Sequence, residues 1–181
     1  MRFVEHGPDI PPRLLRDHQD GKVVFFCGAG VSRNAGLPDF KTTAEEIFNE
    51  VSSTRSAEQE AALKHGQFEL ALGLLGKELS DSPGLNHLAS EIISRHVKKV
   101  CPLGVHRSIL RLSRHVDAQT GAANMRLVTT NWDWLFESAA KRDNNRISIS
   151  SAPALPIPKP GRWEGLVYLH GRFPASVDKT N

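Results

Sequence analysis

The sequence predicts an α/β fold: a parallel sheet with helices on both faces and a small helical lobe. Three observations lead there. Short runs of apolar and β-branched residues, at 23–27, 126–130 and 166–169, alternate with stretches whose apolar residues recur at helical spacing. Each run stops at a polar or glycine-rich motif: Gly28-Ala29-Gly30, Asn131-Trp132-Asp133 and His170-Gly171. The order strand, helix, strand, helix, strand is that of a parallel, Rossmann-like sheet. In such sheets ligands bind outside the carboxyl ends of the strands, so motifs at three strand ends point to one sheet edge.

The elements follow in order. Residues 1–21 form a lead-in, where Pro8, Pro11 and Pro12 forbid an early helix and 13–19 can form a short one. A strand is expected at 22–27, then the glycine loop and a short helical turn near 32–35. From 42 to about 100 the pattern is helical. Thr43-Ala44-Glu45-Glu46 reads as a capping box, with Thr43 accepting from the Glu46 backbone and Glu46 reaching back. Ala44, Ile47, Phe48 and Val51 make one apolar stripe, Phe68, Leu72, Leu75 and Leu79 a second, and Leu85, Leu88, Ala89 and Ile92 a third. Asp81-Ser82-Pro83-Gly84 separates the last two. The block reads as a lobe, about 42–101, inserted after the first strand of a single domain spanning 1–181. Pro102 and Gly104 close it. A helix over about 105–117 carries Val105, Ile109, Leu112 and Val116 on one face and ends at Gly121. After the strand at 126–130, Trp132, Leu135, Phe136 and Ala139 give a helical stripe. A strand is expected at 146–150, a proline-rich loop at 152–165 and the last strand at 166–169.

Composition narrows the class. The 181 residues suffice for one domain with a small lobe, and 39% hydrophobic with 24% charged residues is ordinary for a globular chain. No apolar run approaches the roughly 20 residues of a membrane span. The N-terminus, with Glu5 and Asp9 and no apolar core, does not read as a signal peptide. Two cysteines, Cys27 and Cys101, point to a reducing, cytoplasmic compartment. Neither has a partner at metal-ligand spacing and no paired-histidine motif occurs, so no metal is expected. A net charge of +3 and a pI of about 9.0 only weakly favour an anionic partner. Arg107, Arg111 and Arg114 fall at i, i+4 and i+7, which makes either a solvated face or a contact for nucleic acid or an acidic partner domain.

The glycine loop allows two readings. Gly-x-Gly after a strand can be a tight turn, or it can cradle a phosphate, the glycines admitting it closely and a helix N-terminus offering free N–H groups. It is not the ordinary dinucleotide fingerprint, because the third glycine is Gly36 and not position 33. Ser32 either donates to a phosphate or ribose hydroxyl or caps the next turn. Asp39 in isolation reads as a turn residue after Pro38. Asn131 is either a helix N-cap or a polar site residue, Asp133 a first-turn acid or a site residue, and His170 a turn residue or a base. His96, near the third stripe, reads as a partly buried structural histidine. His106 begins the helix that feeds the site strand and is a candidate for shaping the pocket.

Taken together, Gly28-Ala29-Gly30-Val31-Ser32, Gly36-Leu37-Pro38-Asp39-Phe40, Thr130-Asn131-Trp132-Asp133 and His170-Gly171 resemble the ordered motif set of the sirtuin superfamily across residues 23–171. The helical lobe carries no recognised part of it. Deacetylase sirtuins have a zinc ribbon of two Cys-x-x-Cys pairs, which is absent from this sequence. They also have Gln where this chain has Thr130, and Arg where it has Lys41. In these departures the chain is similar to the zinc-free sirtuin-like domains of prokaryotic antiviral defence proteins, which hydrolyse NAD during phage infection and form one module of a larger protein or complex.

The resemblance implies an NAD site in which Gly28, Ala29, Gly30, Ser32, Pro38, Asp39, Phe40 and Thr130 hold the dinucleotide. Asn131 would orient the ribose or a water, Asp133 would contact the nicotinamide amide or support its loop, and His170 would act as general base. It implies NAD as substrate, no metal, and control by a homo-oligomer or an associated effector or sensor module. Sirtuin-like folds run on past the equivalent of Gly171, so the chain is expected to be part of something longer. Two other readings share the site: an NAD-dependent protein deacylase or ADP-ribosyltransferase, and a non-catalytic NAD or ADP-ribose sensor.

Overall fold

The computed structural model describes residues 1–51, 54–79, 82–97, 101–116, 121, 123–159 and 163–173. Along the chain run α1 (Pro12–Gln19), β1 (Phe25–Cys27), a 3-10 helix (Ala29–Ala35), α2 (Phe40–Val51), α3 (Ala57–Lys64), α4 (Phe68–Glu78), α5 (Ser82–His96), α6 (Gly104–Ser113), β2 (Arg114–Val116), β3 (Ala123–Thr129), α7 (Leu135–Arg142), β4 (Ile149–Ser151) and β5 (Gly165–Tyr168). They form two compact units. One comprises Met1–Gly28 and Gly104–Gly171; the other comprises Ala29–Leu103 and the segment from Arg172. The second unit therefore begins well before position 42, and all of the glycine loop after Gly28 belongs to it.

The first unit holds the sheet of the expected α/β fold. Its parallel strands pair in the order β1-β3-β5-β4, with helices around them. Cys27 lies opposite Thr129, and Thr129 opposite Tyr168, so β1, β3 and β5 end level with one another. Every residue of β5 is buried, as expected of an interior parallel strand. β3 alternates, burying Met125, Leu127 and Thr129 on one face.

Two expectations about α6 need correction. The helix ends at Ser113 and does not run on toward 117, because Arg114, His115 and Val116 pair antiparallel with Met125, Asn124 and Ala123. That ladder satisfies the backbone groups another helical turn would have satisfied, and β-branched Val116 suits a strand. The buried face is also not the expected Val105–Ile109–Leu112 stripe. Val105 and Leu112 are exposed, whereas His106, Leu110 and Ser113 are buried. Polar anchors choose the face: Arg107 pairs with Asp143 at 2.6 Å, and the His106 ring meets Phe136 of α7 edge-on, centroids 4.8 Å apart. The arginines accordingly form no single stripe. Arg107 and Arg111 both engage Asp143, and Arg114 stands on β2.

The second unit is helical. The capping box expected at Thr43 is absent: Asp39 caps α2, its Oδ1 accepting from the Thr42 backbone and hydroxyl, both at 2.9 Å. Thr43 lies within the helix and donates its hydroxyl back to the Asp39 carbonyl at 3.0 Å. A true capping box stands at Ser56 and Gln59, where it starts α3. Ile47, Phe48, Leu75 and Ile92 are fully buried, each stabilising by about 1.5–3 kcal/mol. The pairs Glu46–His96, at 2.8 Å, and Glu50–Arg95 tie α2 to α5. Being part-exposed, each is worth below about 1 kcal/mol, so the apolar layer dominates. Among the described residues no helix is long and apolar enough to cross a membrane.

Gly165 opens β5 with φ +99°, and a Cβ there would stand 2.2 Å from the Ser148 carbonyl oxygen. That oxygen also accepts from the Leu166 N–H at 2.9 Å, so the backbone cannot withdraw without losing the bond. Gly165→Ala should cost about 2–4 kcal/mol in urea unfolding. An unchanged midpoint would show that the β4–β5 approach is looser than described.

Candidate functional site

The level strand ends are joined by one small hydrogen-bonded knot. The Cys27 carbonyl accepts from the Thr130 N–H at 3.0 Å and from the Thr129 hydroxyl at 3.2 Å. The same Thr129 oxygen accepts from the Asn131 N–H at 3.1 Å, and the Thr129 carbonyl accepts from Leu169 at 2.9 Å. The chain thus leaves β3 in a fixed direction. Asn131 and Asp133 follow, both buried, at 8% and 4% exposure. Asp133 Oδ1 accepts from the Leu135 N–H at 3.0 Å, which starts α7 later than the apolar stripe from Trp132 suggests. Asn131 is therefore not the cap of that helix. His170 follows Leu169 and is exposed; Gly171, at φ +86°, turns the chain away.

Gly28 completes this edge in the first unit. A Cβ at Gly28 would meet only Thr130 Oγ1, at an ordinary 3.7 Å, and one at Gly30 would meet nothing within 4 Å. Neither has a left-handed backbone. No described residue therefore requires glycine at either position, and both are exposed. Gly36 differs, since its φ of +97° ends the 3-10 helix.

The structure thus groups Gly28, Thr130, Asn131, Asp133 and His170 on neighbouring strand ends of the first unit. Ala29, Gly30, Ser32, Pro38, Asp39 and Phe40 lie in the second unit. There Ser32 is buried at 2% exposure, and Pro38 is half-buried. Phe40 meets Phe68 edge-on at 5.9 Å. The Asp39 carboxyl is held below its ordinary range by the Thr42 backbone and side-chain hydrogen bonds, so helix capping occupies it.

Two further residues bear on the site. Thr129 carries the knot, and sequence reasoning passed it over. The available signal was a hydroxyl-bearing β-branched residue at the last strand position. His106 is 1% exposed on α6. Burial pushes its imidazole below the ordinary 6.5, and the Asp133 carboxylate, pulling the other way, does not prevail. Burial also pushes up the Cys27 thiol, which disfavours the nucleophilic thiolate beside Gly28. Among the described residues no group of three or more His, Cys, Asp or Glu is placed to hold a metal ion.

No family model matches the chain. A curated relative, the uncharacterized protein y4cA of Sinorhizobium fredii (strain NBRC 101917 / NGR234), is 34% identical over 177 residues. The match covers 96% of this chain and 14% of that protein, so the chain spans a small fraction of its relative's length.

His106 gives the site a pH dependence of definite sign. Its folded value lies below 6.5, so the unfolded chain binds the extra proton first as pH falls. The stability associated with neutral His106 is complete above pH 6.5 and is lost as pH drops through 6.5 toward the folded value, by at most about 1.4 kcal/mol per pH unit. Urea unfolding between pH 7.5 and 5 should show this slope, and His106→Asn should flatten it. Equal slopes in both proteins would assign the acid lability to other groups.

Proposed function

We propose that this chain is a sirtuin-like NAD glycohydrolase, the NAD-cleaving module of a larger cytoplasmic protein that acts in antiviral defence by NAD depletion. The observation that carries the reading is that Gly28, Asn131 and His170 follow three parallel strands that are neighbours in one sheet and end level. Motifs far apart in sequence thereby share one sheet edge, where open α/β sheets bind ligands. A Cβ at Gly28 would make only an ordinary contact and one at Gly30 would meet no described residue, which suits a pyrophosphate approaching the exposed backbone. The sirtuin-like motif order and the absent zinc cysteines favour hydrolysis over deacylation.

In the proposed reaction the oxygen of a water bonds to the anomeric carbon of the nicotinamide-bearing ribose. The carbon–nitrogen bond breaks, and its electron pair returns to the nicotinamide ring, quenching the pyridinium charge. The water's surplus proton passes to His170 and then to solvent. Asn131, whose amide both donates and accepts, would hold the ribose hydroxyls or that water. Asp133, tied to the start of α7, would keep the Asn131 turn in place.

Nicotinamide and ADP-ribose release by the purified protein should fall at least about a hundredfold in Asn131→Ala and in His170→Ala, with thermal midpoints retained. Normal turnover in both variants would sink the reading. Gly30→Ala, which meets no neighbour, should raise KM without loss of stability. Nicotinamide release that depends on an acetyl-lysine peptide would indicate a deacylase instead, and NAD binding without turnover a sensor.

A further inference from the structure

A polar cavity lies within the first unit, at the opposite ends of the same strands. It has a volume of about 100 Å³. Arg114 of β2, Asn124 at the start of β3, Arg146 and Ser148 ahead of β4, and Glu164 ahead of β5 are in its wall. Asn124 and Thr130 are separated along β3 by about 20 Å, at roughly 3.3 Å per residue. This cavity is therefore distinct from the edge that carries Gly28, Asn131 and His170.

Its chemistry is specific. Arg114 and Arg146 are exposed and make no ion pair with any described residue. Guanidinium groups so placed take an oxyanion through paired N–H donors. The wall also presents acceptors. Glu164, exposed ahead of β5, contributes a carboxylate whose oxygens only accept. A fully deprotonated oxyanion would satisfy the arginines but would meet those lone pairs with lone pairs. An oxyanion that retains a proton satisfies both sides. The volume corresponds to about three waters at roughly 30 Å³ each, enough for a single phosphate group.

We propose that this cavity is a binding site for a protonated phosphate group, either inorganic phosphate or the terminal group of a phosphomonoester. The site stands independently of the NAD reading, since none of its residues belongs to that edge.

Calorimetric titration at pH 6.5 and constant ionic strength, with inorganic phosphate, glycerol phosphate and sulfate as probes, tests it. Sulfate matches phosphate in shape and carries no proton at that pH. Saturable binding of phosphate or glycerol phosphate at least tenfold tighter than sulfate is expected, and the tighter of the two identifies the source. Arg114→Gln with Arg146→Gln should weaken it at least tenfold, and Glu164→Gln should narrow the gap to sulfate. Both changes are at exposed positions, and circular dichroism checks the fold. Equal binding of sulfate, no saturable binding, or binding that persists unchanged in the double arginine variant would overturn the proposal. The last outcome would locate the anion elsewhere, the Gly28 edge included.

Discussion

The arrangement at the carboxyl edge of the sheet depends on one side-chain oxygen. Thr129 Oγ1 donates a hydrogen bond to the Cys27 carbonyl and accepts one from the Asn131 backbone N–H. The first bond locks the ends of β1 and β3 together beyond what the ladder provides; the second sets where the chain turns. A buried hydroxyl satisfied on both sides has no rotational freedom left, so the turn inherits the rigidity of the sheet. Asp133 repeats the device two residues further on by fixing the first amide of α7. Asn131 is thus held between two such anchors, which is the support a functional side chain needs if it is to stay within a few tenths of an ångström of one position.

The strands were readable because their runs are apolar and bounded by glycine or polar residues, and the level ends followed once the order was known. The helical stripes at Ala44–Ile47–Phe48 and Ala89–Ile92 were readable because the buried residues there are also the apolar ones. Legibility failed where a polar residue decided the outcome. On α6 the buried face belongs to His106 and Ser113, while Leu112 points to solvent, so a hydrophobic count chose the wrong face. At α2 the cap is Asp39 and not Thr43, because a proline-aspartate turn immediately upstream supplies the acceptor earlier than the capping-box pattern does. The end of α6 was hidden because the competing partner of 114–116 lies in a different segment, at 123–125.

The candidate site shows the same division. Gly28, Asn131 and His170 could be placed from sequence because strand-end motifs announce themselves. Thr129 could not, since inside a β-branched run its hydroxyl looks incidental. Asp39 shows the converse: a residue prominent in the motif is engaged locally in starting a helix. Whatever else it touches must share a carboxylate that already accepts two hydrogen bonds.

The first unit is also discontinuous: its edge strand comes from Met1–Gly28 and the rest of its sheet from Gly104–Gly171. Phe25 must find Leu127 across the entire helical block. Closing a long loop costs free energy only as the logarithm of its length, about 0.6 kcal/mol per doubling. The pairing is thermodynamically tolerant of what is spliced in between, yet kinetically late, because so distant a contact forms only after local ones. The block between β1 and α6 is therefore a position where evolution can lengthen, shorten or exchange whole helices at little cost to the sheet. No contiguous fragment that leaves out the helical block, by contrast, contains every strand of that sheet.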